Sequence, residues 1–444
     1  MLSTDITIKK TLPEVYNRGQ EMVQNLLDNM DDPDMDIRES KDDVDDLEID
    51  QDAEGQAPVV KLINLIIFEA IQRKASDIHI EPMEKRVRVR YRTDGVCREV
   101  ISPPKKMQNA IASRVKIMCG LDIAERRKPQ DGKFQLRVHG RQIDFRVSIL
   151  PTIHGEKVVM RILDSSNLSL NLDVLEFETQ ALKDIREAIC KPYGMLLVTG
   201  PTGSGKSTTL YSCIREVLSV EDNIVTVEDP VEYQLDGVIQ VQVNNKRGLT
   251  FAAALRSILR QDPDTILVGE IRDNETVEIA VKAALTGHLV FSTLHTNDAP
   301  STVTRMVDMD VDPFLVASSI MCVCAQRLAK KLCPDCKRVL EANPPPEHLL
   351  ELGFVESDFD GLELMEKVGC ARCTQGYKGR FALLETLPLN EALRRVIIEG
   401  GSALDIKALA MKQKMITLRR VGILNAIRGK TTVEEILQCT VGDE

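Results

Sequence analysis

Residues 195–210 read MLLVTGPTGSGKSTTL. The apolar run from Met195 to Val198 predicts a strand, the glycine-rich stretch a loop, and the residues after it the start of a helix. Gly200, Gly205, Lys206 and Ser207 fill the G-x-x-x-x-G-K-[ST] spacing of a phosphate-binding loop. Glycines let successive backbone N–H groups turn inward around a phosphate, and the positive end of the following helix adds to the anion site. Gly200, Pro201, Thr202, Gly203, Ser204, Gly205, Lys206, Ser207 and Thr208 are therefore the candidate ATP-binding segment. Lys206 is placed to reach the β- and γ-phosphates and the Ser207 hydroxyl to hold Mg²⁺. At average residue usage a chance match in a chain of this length arises roughly one or two times in a hundred.

Hydrolysis needs more than a cradle. One carboxylate must polarise the attacking water, another must hold or orient Mg²⁺, and a polar group must sense the γ-phosphate. Three strand-like segments end in candidates: NIVTVED in Glu228 and Asp229, with Glu232 a few residues on, TILVGE in Glu270, and HLVFSTLH in His295; Glu228, Glu270 and His295 are the three taken forward. Each alone reads equally as a cap or turn residue. Together, beside one phosphate loop, they are placed for those three roles.

A second constellation is Cys333-Pro334-Asp335-Cys336 and Cys370-Ala371-Arg372-Cys373, two C-x₂-C knuckles 33 residues apart. Four thiolates supply one tetrahedral ion and leave no position for water, so the site reads as structural Zn²⁺. Scattered buried cysteines or an iron–sulfur cluster are the alternatives. The other seven of the eleven cysteines are dispersed, as in a reducing compartment.

The elements that must position these residues follow from pattern. From Lys183 to about Lys330, MLLVTG, NIVTVED, TILVGE and HLVFSTLH alternate with helical stretches, which implies a mainly parallel, helix-covered sheet whose chemistry sits at the carboxyl ends of its strands. Upstream, PVVKLINLIIFEAIQRK predicts a buried helix, followed by strands in SDIHIEP and RVRVRYRTDG, a helix near 106–118, a hairpin of KFQLRV and RQIDFRVS turning at His139-Gly140, and a strand in EKVVMRIL. Arg86, Arg88, Arg90 and Arg92 alternate with Val87, Val89 and Tyr91, so the arginines line one sheet face. That face is either solvated or meets phosphate or an acidic neighbour. Residues 1–29 read as one or two short helices. Residues 31–54 hold thirteen acidic side chains against Arg38 and Lys41, which accounts for the whole net charge of −11. This run reads as a self-repelling linker, with a docking peptide as the alternative. The near-neutral remainder argues against nucleic-acid binding, as do six tyrosines and no tryptophan for base stacking. No apolar run is long enough to span a bilayer, and the N-terminus lacks an apolar signal core.

TVEDPVEY, LRSILRQDPDTILVGEIRD and TGHLVFSTLHTNDAPST resemble the Asp box, Walker B and His box of secretion ATPases, the hexameric motors of type II secretion and type IV pili. SDIHIEP, RVRYRTDG, RRKPQDGK and DFRVS resemble the PAS-like domain that precedes the motor in that family. The likeness runs from about Ala57 to Gly442. It implies an α/β chain with a RecA-like P-loop core over 175–330, a PAS-like α+β domain over 58–165, and a tetracysteine zinc subdomain with helices over 331–444. Residues 1–57 are left as a helical remnant and acidic linker. It implies further that Glu228 is the catalytic carboxylate, that Glu270 sits near Mg²⁺, and that His295 couples nucleotide state to conformation. Arg127, Arg141 and Arg146 lie in or beside the motifs from which the family supplies arginines to the γ-phosphate; an ion-pair role is the alternative for each. The tetracysteine knuckles resemble those of pilus-extension and type II secretion motors, which pilus retraction motors usually lack; FAAALRSILRQDPD, STLHTNDAPST and the tail TTVEEILQCTVGD look more like pilus-extension (assembly) ATPases, with type II secretion motors next. The partners so implied are five further copies in a homohexamer and a membrane platform protein, at the cytoplasmic face of an inner membrane. The full-length family commonly carries a further N-terminal domain, and only about 55 residues precede the likeness here. A nucleic-acid translocase, which DNA-stimulated ATPase activity would reveal, and a non-hydrolysing nucleotide-gated scaffold, which a phosphate-release assay would reveal, are the other function classes.

Overall fold

The computed structural model describes residues 57–138, 141–164 and 170–442, arranged as two compact units divided at Leu168 and Ser169. The expected N-terminal helices, the acidic linker and the His139-Gly140 turn lie outside the described residues.

In the first unit helix α1 (Ala57–Gln72) is followed by strands β1 (Asp77–Pro82), β2 (Val87–Thr93) and β3 (Val96–Ile101). Helix α2 (Gln108–Met118) and strands β4 (Gln130–Val138), β5 (Arg141–Thr152) and β6 (Gly155–Leu163) complete it. The strands form one antiparallel sheet in the order β3-β2-β1-β6-β5-β4. Alternation decides which face is buried. Ile78, Ile80, Val89, Tyr91, Phe145, Val147, Val158 and Met160 share a core with Leu62, Ile63, Ile66 and Ile67 of α1. Each such side chain contributes roughly 1.5–3 kcal/mol by leaving water. Phe134 and Phe145, directly opposed across β4 and β5, stack with centroids 4.7 Å apart. The Tyr91 hydroxyl donates to the Ile66 carbonyl at 2.8 Å, fixing the sheet to the helix.

The residues in between carry the charge. Glu81 receives Arg88 at 2.9 Å, Arg90 at 2.8 Å and Lys157 at 3.3 Å, while Asp77 receives Arg161 at 3.1 Å and Arg92 at 3.4 Å. Arg86 pairs with Glu99 at 2.6 Å. The acidic neighbours of the arginine row are thus in the same sheet. Burial alone would raise the Glu81 carboxyl, but the bonds from Arg90, Arg88 and Lys157 outweigh it and hold the group at about 2.

The second unit opens with α3 (Thr179–Ile189), β7 (Gly194–Thr199), α4 (Lys206–Val217), β8 (Ile224–Glu228) and β9 (Ile239–Gln242). It continues through α5 (Phe251–Ile258), β10 (Thr265–Val268), α6 (Asn274–Leu285), β11 (Leu289–Leu294), α7 (Ala299–Asp308), α8 (Pro313–Ser319) and β12 (Ile320–Leu332). After the first cysteine knuckle come β13 (Arg338–Val339), α9 (Pro346–Glu351), β14 (Met365–Glu366) and β15 (Tyr377–Pro388), then α10 (Glu391–Ile398), α11 (Ala403–Lys412), α12 (Leu418–Ile427) and α13 (Val433–Cys439).

Seven strands make one sheet in the order β15-β12-β7-β11-β10-β8-β9, parallel throughout except for β15, which runs antiparallel to β12. Every side chain of β7, β8, β10 and β11 is buried. Alternate residues of β7 face opposite cores: Met195 and Leu197 join α5–α8, whereas Leu196 and Val198 join α3 and α4. Helices cover both faces, so exposed backbone ends are the places left for chemistry. Four strands follow the pattern expected from sequence. β9, β12 and β15 are additional, and β12 crosses the 330/331 division expected between core and C-terminal region. β15, although it follows the second knuckle, pairs along most of β12 from Cys322 to Leu332. Among the described residues no helix is long and apolar enough to cross a membrane.

Candidate functional site: a phosphate loop and the strand ends beside it

The loop after β7 turns through Gly200, Gly203 and Gly205 at φ +145°, +80° and +90°, a region that strains any side chain. Gly200 is irreplaceable for a second reason: a Cβ there would lie 2.4 Å from the Gln326 carbonyl oxygen. Gly205 leads directly into α4, whose first residue is Lys206. The Lys206 ammonium donates to the carbonyls of Gly200 at 2.8 Å and Pro201 at 3.1 Å. Burial lowers its pKa and the nearby Glu270 carboxylate opposes that shift.

Glu270 follows β10 and is largely buried. It receives the Arg272 guanidinium at 2.5 Å and faces His295 Nε2 at 3.2 Å. Burial would raise its carboxyl, yet Arg272 and His295 together hold it below the usual glutamate range. Both loops are short because a helix starts at once. Asp273 accepts from the Thr276 N–H at 2.8 Å to cap α6, and Asp298 from the Ser301 N–H at 2.7 Å to cap α7. Such caps are worth about 1 kcal/mol each and fix where Glu270 and His295 emerge.

A hydroxyl relay joins the phosphate loop to the His295 strand. Thr199 Oγ1 accepts from the Thr296 N–H at 2.9 Å and lies 2.6 Å from the Thr296 hydroxyl, which in turn sits 2.5 Å from that of Thr302. Asn297 is held by Arg327, whose Nη2 donates at 3.1 Å to both its carbonyl and its side-chain oxygen.

Glu228, at the end of β8, is buried and bound on both oxygens. Thr226 Oγ1 donates to Oε1 at 2.6 Å and Gln240 Nε2 at 3.2 Å, while the Tyr211 hydroxyl, from the middle of α4, donates to Oε2. Glu228 also backs onto Gly269, where an added Cβ would meet its Cα at 3.2 Å. The sequence-derived residues therefore form two groups: Lys206, Glu270 and His295 around one carboxylate, and Glu228 in its own network rooted on the same helix as Lys206.

Arg127, Arg141 and Arg146 belong to the first unit. The Arg127 side chain is 90% exposed, with Glu125 3.5 Å away. Arg141 starts β5, and Arg146 stands opposite Lys133 of β4 and Arg161 of β6. Sequence reasoning missed Tyr211, Arg272, Gln326 and Arg327. Arg272 was findable as the nearest cation after Glu270; the other three are brought to the site by tertiary packing alone.

The four knuckle cysteines converge. Their sulfurs lie within 4.8 Å of one another, with Cys333–Cys370, Cys336–Cys373 and Cys370–Cys373 at 3.9, 3.7 and 3.6 Å. A tetrahedral ion with ligands at about 2.3 Å requires sulfur–sulfur distances of about 3.8 Å, so this donor set fits one soft metal ion. All four thiols are free, and separations near 3.7 Å exclude bonded sulfurs. Between the knuckles, β13 and β14 pair, and Leu349, Phe354 and Leu364 form a small core with Ile423 of α12.

Residues 52–438 match the family described as "Type II/IV secretion system protein". The chain is 48% identical to the type IV pilus assembly ATPase PilB of Myxococcus xanthus over 100% of its own length and 78% of that protein. It is also 48% identical to the type II secretion system protein E of Aeromonas hydrophila, over 88% of this chain and 77% of that one. Among solved structures, the pilus retraction motor PilT with bound ADP superposes with a TM-score of 0.57 at 28% identity, covering 85% of this chain and 96% of PilT. The Legionella pneumophila ATPase DotB superposes at 0.62 and 22% identity, covering 84% and 94%, and shows the shared fold. The chain belongs to the type II/IV secretion system protein family.

Proposed function

We propose that this protein is a motor ATPase that hydrolyses ATP to drive type IV pilus assembly. The observation that carries the reading is the Lys206–Glu270–His295 arrangement at the strand ends, in a chain 48% identical to a pilus assembly ATPase over its whole length. The core is RecA-like and the first unit PAS-like. The backbone from Thr202 to Thr208 cradles the phosphates, and Lys206 leaves the Gly200 and Pro201 carbonyls to reach the β- and γ-oxygens. Ser207 and Glu270 would hold Mg²⁺, which would supply positive charge against the charge that develops on the phosphate. Glu228 orients the attacking water. Its three donors occupy three of about four acceptor positions on a carboxylate, which leaves capacity for one more hydrogen bond. His295, hydrogen-bonded to Glu270 and linked through Thr296 to Thr199, transmits the state of the phosphate to the sheet. Arg127, Arg141 and Arg146 offset phosphate charge, and a fall in kcat when each is replaced by alanine is the check. Cys333, Cys336, Cys370 and Cys373 hold structural Zn²⁺.

The working assembly is a homohexamer engaging a platform protein at the cytoplasmic face of the inner membrane. The test is genetic. Cells whose only copy carries Lys206→Ala should make normal amounts of the protein but no surface pili; normal piliation would refute the assignment. A type II secretion motor is the second reading, favoured by the equal identity to protein E. Loss of protein export with intact pili in the same strain would select it.

A further inference from the structure

Beneath the phosphate loop, β12 carries a glutamine that nothing in the hydrolytic scheme uses. Gln326 is 1% exposed, on a strand whose first seven residues are all buried. An uncharged polar side chain in such a place is expensive unless both ends of its amide are paired. Both are. Nε2 donates to the Ser204 carbonyl at 2.8 Å, and Oε1 accepts from the Thr209 hydroxyl at 2.8 Å. The orientation of the amide is fixed by chemistry, because the Ser204 carbonyl can only accept and must face the NH₂ group. The two partners bracket the sharpest part of the loop: Ser204 precedes Gly205, and Thr209 lies in the first turn of α4.

The fit leaves no slack. A Cβ at Gly205 would approach Gln326 Nε2 to 2.8 Å, and one at Gly200 would approach the Gln326 carbonyl to 2.4 Å. Both ends of the glycine loop are thus moulded on one residue of a different strand, 117 residues beyond Thr209. A carbonyl held by Gln326 obliges the N–H of the same planar trans peptide, that of Gly205, to point the opposite way, away from Gln326.

We propose that Gln326 is a positioning residue of the nucleotide site: by clamping the Ser204 carbonyl and the Thr209 hydroxyl from below, it holds the phosphate loop with its N–H groups aimed at the triphosphate. This rests on the reading of the loop as the ATP site. The clamp acts on binding more than on the chemical step, since the carboxylates at the strand ends are untouched.

The experiment uses the full-length protein and three variants: Gln326→Met, which keeps length and removes both bonds, Thr209→Val, which removes one, and the double variant. Mg·ADP affinity is measured by calorimetry, ATP turnover by phosphate release, and the unfolding midpoint without nucleotide by heating. Gln326→Met should raise the Mg·ADP Kd and the ATP KM about ten- to a hundred-fold, with kcat within about three-fold of the parent. Thr209→Val should raise Kd by only a few-fold, and the double variant should be no worse than Gln326→Met, since both act through one clamp. Unchanged Kd in folded Gln326→Met would overturn the proposal, as would a lowered unfolding midpoint with normal affinity in the folded fraction. If Gln326→Met does not fold, Thr209→Val decides alone: an unchanged Kd overturns the clamp and a raised one supports it. A parent protein that binds no Mg·ADP would overturn the ATP-site reading itself, whatever the variants do.

Discussion

The two sheets of this protein spend their charged residues in opposite ways. In the antiparallel sheet one face is covered by helices, and the other is a lattice in which Arg88, Arg90 and Lys157 converge on Glu81, and Arg92 and Arg161 on Asp77. In the parallel sheet both faces are apolar and covered, so Glu228, Glu270 and His295 have nowhere to emerge but at the carboxyl edge. A charged face that satisfies itself builds a scaffold. Charges pushed to the end of a dry sheet, beside a glycine-rich loop that opens a helix, build a site.

The contrast can be broken by mutation, and the site should be far more sensitive than the scaffold. Lys206→Ala removes the cation proposed to meet the transferred phosphate and should lower ATP turnover by at least about 10³-fold while leaving the unfolding midpoint nearly unchanged; retained turnover would make the strand-edge reading untenable. Glu228→Gln keeps shape and loses charge, and a fall in kcat of about 10²–10³-fold with little change in KM is expected. A KM effect alone would reassign Glu228 to holding Tyr211 and α4. Cys333→Ser alters none of Lys206, Glu228, Glu270 and His295. It should cut bound zinc from one equivalent to near none and lower the unfolding midpoint by on the order of 5–10 °C, and full zinc content after purification would contradict the four-sulfur site.

The smallest effect belongs to the scaffold. Glu81 is held at about 2, below the ordinary glutamate value. Its depressed pKa contributes stability that is fully present above about 4.3 and is lost as pH falls through about 2. Glu81→Gln should therefore be less stable than the parent at neutral pH and converge with it toward pH 2. A constant gap across that range would show that the lattice acts by packing, with no role for charge.

How far these features could be read in advance depended on whether they were local in sequence. Lys206, Ser207 and the three glycines are set by spacing within one short segment, and the alternation of Val87, Val89 and Tyr91 with arginines fixed the buried face of β2. The four cysteines were legible because knuckle spacing is a local signal, although only folding brings the pairs to within 4.8 Å. β12 and β15 were not read as sheet strands. Buried Gln326 interrupts the apolar run of one, and the other is separated from its partner by the whole insertion between the knuckles. For the same reason the Tyr211–Glu228 and Gln326–Ser204 contacts were invisible: the first needs α4 packed on the sheet and the second needs β12 placed beside β7.

The central claim is that an acidic strand end beside the phosphate loop performs the hydrolysis. Phosphate release and Mg·ATP binding measured side by side on the parent and on Glu270→Gln test it most directly. The account predicts that Glu270→Gln binds Mg·ATP within about ten-fold of the parent yet releases phosphate at least about a hundred-fold more slowly. Phosphate release at the parental rate from that variant would contradict it.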